Sequence, residues 1–381
     1  MRGLGAKRAR IAVLASVIAR YDAISMAARD TARAFRKAGF EVDVFTLRSD
    51  FPELGAHQVR DAAALRVHHA FRTADVVICH FGVFSPLFEG IIETRGRAQL
   101  ILRFHNVTPP EHVAPHQRPL VARSLSQLES FVHADRFWAD SPTNAETLVA
   151  HRVDRGRIDV IPLAVERPAP AALGQKSAPP VRLLFVGRLV RSKGVLDLIE
   201  AIDLARARTT IPFQLDIAGN EDFSDPAYIA EAKAAVASRG LSKLVRFLGA
   251  VDDAKLDELY RGAHLLVIPS YHEGFCRPVI EGLRAGCVPV GYAAYNLPHA
   301  AHGLGRMVPV GDRDALAMAL VALIGALGPG SAGLLPLGAG PLGPADFDRA
   351  AQEYVQEFAF ERVAAQMLRG LQELEHPRLD R

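Results

Sequence analysis

The sequence predicts an α/β protein of two doubly wound domains, each a parallel sheet with helices on both faces, facing one another across a cleft. Three observations predict it. At 381 residues the chain exceeds the roughly 250–300 at which single cores stop growing. Short apolar, β-branched runs alternate with helical spacing from end to end, as in strands buried on both faces of a parallel sheet. Between two such series lies AVERPAPAALGQKSAPP, Ala164 to Pro180, whose Pro and Ala content and lack of periodicity read as a linker.

In chain order, the strand candidates of the first half are Ile11–Leu14, Val42–Phe45, Val76–Cys79, Leu100–Phe104, Arg136–Ala139 and Val160–Pro162. A helical stretch from Ile18 to Ala38 carries Arg20, Arg29, Arg33, Arg36 and Lys37, a basic face suited to anionic lipid. The second half offers Leu183–Val186, Gln214–Ala218, Val245–Leu248, Leu265–Pro269, Val288–Gly291 and Met307–Val310. From Gly325 to Phe347, GALGPGSAGLLPLGAGPLGPADF is so rich in Gly and Pro that a surface excursion without helix or strand is expected. Asp348 to Glu375 regains helical spacing through Tyr354, Phe358, Val363, Met367 and Leu371. Ligands in such folds lie at the carboxyl ends of the strands, which puts them in the cleft.

With 49% apolar and 23% charged residues, the composition is that of an ordinary globular protein. A net charge of +3 lacks the electrostatic footprint of a nucleic-acid-binding protein. Cys79, Cys276 and Cys287 show no paired spacing, so neither a disulfide framework nor a zinc knuckle is expected, and a reducing cytoplasm fits. No apolar run is long enough to span a bilayer, and the basic N-terminal segment reads as a lead-in to the first strand and not as a secretory signal. His105, His112 and His116 lie among Pro109, Pro110 and Pro115, which break any helical presentation, and no metal site is expected there.

The chemistry concentrates at two turns in the second half. In VGRLVRSKGVLDLIEAI, Gly187, Arg188 and Lys193 sit where a strand gives way to a helix, whose unpaired N–H groups and partial positive charge favour an anion. The two cations either grip that anion or are solvated loop residues. Gly187 to Gly194 does not fit GxxxxGK[ST], and the early Gly3 and Gly5 precede the first strand, so neither a P-loop nor a dinucleotide fingerprint is present. In PSYHEGFCRPVIEGLRAGCVPV, Glu273 stands in a turn and Glu281 on the helix that Pro278 opens. Such carboxylates either accept hydrogen bonds from vicinal hydroxyls or serve as a helix cap and an exposed side chain.

Together, GRLVRSKG and HEGFCRPVIE resemble the retaining nucleotide-sugar glycosyltransferases of family 4, with Glu273 and Glu281 matching their Glu-x7-Glu pattern. DVVICHFGVFSP, RFHNVTPPEH and WADSPTNAETL in the first half are similar to segments of a bacterial polysaccharide and cell-envelope branch. The resemblance runs from about Ile11 to Val310. It implies the GT-B fold: a Rossmann-like acceptor domain over 1–166, a Rossmann-like donor domain over 167–350, and closing helices over 351–381. It further implies transfer of a hexose from a nucleoside-diphosphate sugar to a saccharide or lipid-linked acceptor, with retention and without a bound metal or separate cofactor. Arg188 and Lys193 would hold the donor diphosphate next to Gly187. Glu281 would bind the ribose, and Glu273 the hexose, beside the amides of Gly274, Phe275 and Cys276. His105 would meet the transferred sugar. The site would lie on the cytoplasmic side, with peripheral contact to an anionic membrane.

Cys276-Arg277 replaces the commoner Gly-Leu or Gly-Met of the family, a departure that bears on sugar choice. Asp22 and Ser25 either cap the first helix or touch the acceptor, the cap being favoured, and His80 either lines the cleft or is a core residue. Two rival functions share the scaffold, a nucleotide-sugar epimerase and a catalytically silent nucleotide-sugar-binding module. The first needs an acid and base pair that is not evident.

Overall fold

The computed structural model describes residues 9–374 except 21, 95, 222 and 223; the basic N-terminal lead-in and the last residue of the helical stretch ending at Glu375 lie outside them. The described chain forms two compact units. One comprises the residues up to Ala164 together with those from Phe358 on, and the other runs from Val165 to Glu357.

Among the described residues the first unit holds a seven-stranded sheet. Its strands are β1 (Arg10–Ala15), β2 (Glu41–Thr46), β3 (His57–Gln58), β4 (Val76–Phe81), β5 (Gln99–Phe104), β6 (Arg136–Ala139) and β7 (Ile158–Val160), in the order β3-β2-β1-β4-β5-β6-β7. Every pairing is parallel, Ile11 lying opposite both Val42 and Val76. Successive residues of a strand point to opposite faces. Leu14, Cys79, Leu102 and Phe137 accordingly enter one core cluster, and Val13, Ile78, Ile101 and Trp138 the other. The second cluster is closed by the helix Ala23–Lys37 and by the C-terminal helix Phe360–Gln372, which contributes Phe360, Val363, Met367 and Leu371. The chain therefore leaves the first unit at Ala164, builds the second, and returns at Phe358, instead of ending in closing helices that start at 351.

The second unit has a six-stranded sheet, again all parallel: β8 (Val181–Val186), β9 (Phe213–Ala218), β10 (Val245–Gly249), β11 (Leu265–Ile268), β12 (Val288–Tyr292) and β13 (Arg306–Val308), ordered β10-β9-β8-β11-β12-β13. Both units are doubly wound, as expected. The outward steps of strand order, from β1 to β4 and from β8 to β11, put the carboxyl ends of the first and fourth strands of each series side by side, where such sheets bind ligands.

Three local expectations need correction. Ladder pairing to β6 holds Ile158–Val160 instead of Val160–Pro162, because β6 itself ends at Ala139, just before Ser141 caps the helix Pro142–Ala150. The expected linker is docked on the second unit: Leu173 is buried, and its N–H donates to Asp348 Oδ1 at 2.7 Å. The Gly- and Pro-rich excursion contains the end of the helix Arg313–Leu327, a hairpin of Leu335–Leu337 with Gly340–Leu342, and the start of the helix Pro344–Val355. Leu335 and Leu337 are buried, and the hairpin turn is pinned by Gly338 N to Gly305 O (2.9 Å) and Ala339 N to Gly303 O (3.1 Å). Burial of two leucines thus outweighs the local preference for irregular chain. Among the described residues no helix is long and apolar enough to cross a membrane.

Candidate functional site

In the second unit the site is built from the turns that follow β8 and β11. Beyond β8, Gly187 N still donates to Ala218 O at 3.0 Å. The chain then passes Arg188 and a short turn, Arg191–Lys193, before Gly194 opens the helix Val195–Arg206. Gly194 has φ +65°, and a Cβ there would lie 2.0 Å from Pro269 O. Only glycine lets these two turns approach so closely. Tyr271 N donates to Ser192 O at 2.8 Å, tying the same turns together.

That approach delivers the side chains. Lys193 Nζ lies 2.7 Å from Glu273 Oε1, with side chains only 20% and 11% exposed. Arg188 is exposed and makes no hydrogen bond or ion pair among the described residues. His272 to Cys276 are buried, and the turn is pinned by Asn296, whose Nδ2 donates to Phe275 O at 2.9 Å and whose N donates to Glu273 O at 3.3 Å. Cys276 adopts φ 66°, ψ 67° at the start of the helix Arg277–Arg284. Burial, then the Glu273 charge, pushes its thiol well above the ordinary range, so it is a neutral group here. Glu281 accepts from Tyr260 Oη (2.8 Å) and Arg277 Nε (2.7 Å), which fixes its carboxylate on the helix one turn beyond Arg277. The structure thus joins Lys193 with Glu273 and gives Glu281 its own two partners.

Behind the helix start sits Asp197, which accepts from both Tyr271 Oη and Tyr292 Oη and pairs with Arg313 Nε at 3.2 Å. Burial first, and then the bond to Asp197, pushes the Tyr271 hydroxyl up to about 12. This network holds the Glu273 turn from below. Neither Asp197 nor Asn296 stood out in the sequence; the one cue was Asn-Leu-Pro after a strand, an ordinary turn signal.

In the first unit, His80, His105 and Asp140 come from the ends of β4, β5 and β6. His105 Nδ1 lies 2.6 Å from Asp140 Oδ2, and His105 Nε2 lies 2.9 Å from His80 Nδ1. Both ring nitrogens of His105 are therefore engaged, and its side chain is 3% exposed. His80 is buried; burial, then His105 and Arg103, holds its imidazole well below the usual value, so it is neutral at pH 7.

Asp22 and Ser25 serve the helix Ala23–Lys37. Asp22 Oδ2 accepts from Ser25 N at 2.8 Å and from Ser25 Oγ at 2.6 Å, and the buried Ser25 Oγ accepts from Ala19 N at 2.9 Å. Asp22 Oδ2 and the Ser25 hydroxyl are thus engaged at the cap, as the favoured reading had it. The basic face of that helix is likewise engaged within its own unit: Arg29 and Arg33 each lie 3.8 Å over a ring, of Phe51 and Phe360, Arg36 donates to Leu54 O and Val42 O, and Lys37 pairs with Glu361 at 2.6 Å. Among the described residues no group of three or more His, Cys, Asp or Glu side chains is placed to hold a metal ion.

Comparison with known proteins agrees with this architecture. Residues 24–167 match the family model of glycosyltransferase family 4, and residues 173–324 that of glycosyl transferases group 1. The chain is 27% identical over 222 residues to the GDP-mannose:cellobiosyl-diphosphopolyprenol alpha-mannosyltransferase of Xanthomonas campestris, covering 58% of this chain and 56% of that protein. It is 25% identical over 256 residues to a D-inositol 3-phosphate glycosyltransferase of Paenarthrobacter aurescens, covering 63% and 61%. The matched stretches thus span little more than half the length of these relatives. Among solved structures, sucrose-phosphate synthase from Thermosynechococcus elongatus superposes with a TM-score of 0.73 at 21% identity, covering 96% of this chain and 99% of that one. Anabaena HepE in complex with UDP and glucose gives 0.72 at 17%, covering 95% and 98%. At these identities the likeness is one of fold.

Proposed function

The chain belongs to glycosyltransferase family 4 and has its GT-B fold, and from that premise we propose that it moves a hexose from a nucleoside-diphosphate sugar to a saccharide or lipid-linked acceptor. The transfer would proceed with retention, in polysaccharide or cell-envelope glycan synthesis. The observation that carries this reading is the Lys193–Glu273 pair, set at 2.7 Å by two turns whose contact requires Gly194. A cation for a departing diphosphate and a carboxylate for sugar hydroxyls stand next to each other at the start of a helix.

The chemistry follows from charge. Breaking the glycosidic bond builds negative charge on the diphosphate and an oxocarbenium-like sugar. Lys193, Arg188 and the N–H groups at the start of Val195–Arg206 oppose the first of these charges in the transition state more strongly than in the ground state, which lowers the barrier. Glu281, oriented by Tyr260 and Arg277, presents its remaining lone pairs to the ribose hydroxyls, and Glu273 accepts from the hexose. Arg277 binds Glu281 directly, so its presence in place of Leu or Met acts on the nucleoside end of the site before the sugar.

A thermal-shift screen with UDP-, GDP- and ADP-sugars tests the reading, since a ligand that binds only the folded state raises apparent stability. One donor class should raise the Tm and release its nucleoside diphosphate with a saccharide or polyprenol-linked acceptor. Absence of any donor shift refutes the assignment, and conversion of the donor sugar without an acceptor would mark an epimerase instead.

A further inference from the structure

At the amino-terminal ends of the strands of the second unit lies an open cavity of about 500 Å³. Its walls are the docked segment 170–177, Arg182 on β8, and Arg261 and Gly262 at the end of the helix Asp253–Gly262. From Arg182 to Gly187 the strand rises roughly 16 Å, at about 3.3 Å per residue, so this cavity and the diphosphate site are separate places.

Three cations and no carboxylate line it: Lys176, Arg182 and Arg261. Lys176 is fixed from behind. Its Nζ donates to Tyr260 O (3.5 Å), Ala263 O and Cys287 Sγ (3.5 Å), which ties the segment to the negative end of that helix. His264 clamps the Arg182 backbone, whose N donates to His264 Nδ1 at 3.0 Å and whose O accepts from His264 N at 2.8 Å. Arg182 Nη1 lies 3.4 Å from where a Cβ on Gly262 would stand, so its guanidinium reaches the chain beside Arg261. Arg261 spends only Nε, on Asp257 O at 3.4 Å.

The acids that could neutralise these two guanidiniums are taken by other cations. Arg167 holds Asp253 (2.6 Å) and Asp257 (3.0 Å), and Lys255 holds Glu258 (2.8 Å). Among the described residues neither Arg182 nor Arg261 makes an ion pair, and the Arg182 guanidinium makes no hydrogen bond. Like charges left unpaired around a hollow draw an anion into it, and the guanidinium fork matches phosphate oxygens. The volume exceeds what one phosphate fills and falls in the range of small organic ligands. Gln175 and Ser177 offer hydrogen bonds to hydroxyls, and no aromatic ring lines the cavity on which a nucleobase could stack.

Independently of the transfer reaction, we propose that this cavity binds a sugar phosphate, with its phosphate on Arg182 and Arg261 and its hydroxyls toward Gln175 and Ser177. The ligand thereby fastens segment 170–177 to the second unit.

Thermal unfolding and hydrogen exchange of the full chain, with glucose 1-phosphate and glucose 6-phosphate as probes, test this. One of them should raise the Tm and slow exchange of the Gln175 and Lys176 amides, which donate to Ala172 O (3.2 Å) and Leu173 O (3.0 Å). Arg182→Gln and Arg261→Gln change exposed side chains and should fold as wild type does. Each should weaken the Kd about 10-fold, the lower end for a charge-assisted bond, whereas Arg188→Gln should leave it unchanged. Inorganic phosphate should bind more weakly than the ester, and equal affinity refutes the sugar. Vesicles of phosphatidylglycerol that capture wild type but not Arg182→Gln, with no response to either probe, give the site to a lipid headgroup and overturn the assignment. A wild-type Tm that neither probe moves overturns it too, as does a double Arg182→Gln, Arg261→Gln variant that binds as wild type does.

Discussion

Replacing Gly194 by Ala tests whether the two turns of the donor site really depend on backbone approach. Two effects add at this position. The residue sits at φ +65°, where a Cβ costs roughly 1–2 kcal/mol. The new Cβ would also lie 2.0 Å from Pro269 O, a full ångström inside the 3.0 Å that Cβ atoms respect, and the obstacle is backbone that cannot swing aside. Relief of such overpacking typically costs a further 1–3 kcal/mol or so. Gly240 separates the terms, because it has φ +63° with nothing within 4 Å of its Cβ position. Gly240→Ala should therefore show only the dihedral cost. At about 2–4 °C per kcal/mol for a unit of this size, thermal unfolding should fall by about 2–8 °C for Gly240→Ala and by clearly more for Gly194→Ala. The shift needed to clear Pro269 is about 1 Å, enough to lower turnover about 100-fold when it displaces a positioned group such as Lys193. If both variants unfold alike and Gly194→Ala still binds donor as wild type does, the close approach is not what holds the site.

Arg188→Gln should leave unfolding within about 0.5 kcal/mol, since the side chain is exposed and unpaired among the described residues. It should nonetheless cost roughly 1.5–3 kcal/mol of transition-state stabilisation, about 10- to 150-fold in kcat/KM, and unchanged kinetics would remove Arg188 from the diphosphate site. His264 is lowered from 6.5 to about 4 by burial first, then by Lys176 and Arg182, while its Nδ1 accepts from Arg182 N at 3.0 Å. Below pH 6.5 the unfolded chain binds this proton and the folded one does not, so the stability contributed is full above 6.5 and is lost as pH falls towards 4. His264→Asn keeps an acceptor without titrating, so the fall in Tm over that window should be shallower than in wild type; an identical fall counts against the assignment. Deleting the chain from Phe358 on removes Phe360, Val363, Met367 and Leu371 from the first unit's core, at about 1.5–3 kcal/mol each. That is comparable to a domain's whole stability, so circular dichroism should show loss of the first unit's structure, and a native-like spectrum would contradict the packing.

What could be read from the sequence was what local pattern carries. The parallel strands announced themselves because burial on both faces makes them continuous apolar runs, as in VVICHF at β4. The two-residue strand His57–Gln58 has no pattern to read, and the leucine hairpin was hidden by the glycines and prolines that flank it. In the site, Lys193, Glu273 and Glu281 stood out because they lie in short contiguous motifs. Tyr260, Asn296, Asp197 and Asp140 did not, since each gains meaning only from a partner brought close by the fold: Tyr260 from Glu281, Asn296 from the Glu273 turn, Asp197 from Tyr292, Asp140 from Arg103 and His105. For His105 the motif located the residue but not its state, because nothing local shows that both nitrogens are taken.

The return of the chain to its first unit at Phe358 sets an order of events during synthesis. The amino-terminal sheet emerges from the ribosome first with the helix Ala23–Lys37, yet the second helix that closes the same face is translated only after the whole of Val165–Glu357. At about 5–20 residues/s that interval lasts roughly 10–40 s. The nascent protein therefore completes its second half while its first half waits with the part of that face destined for Phe360, Val363, Met367 and Leu371 bare, and that strip is where chaperones should bind the translating chain.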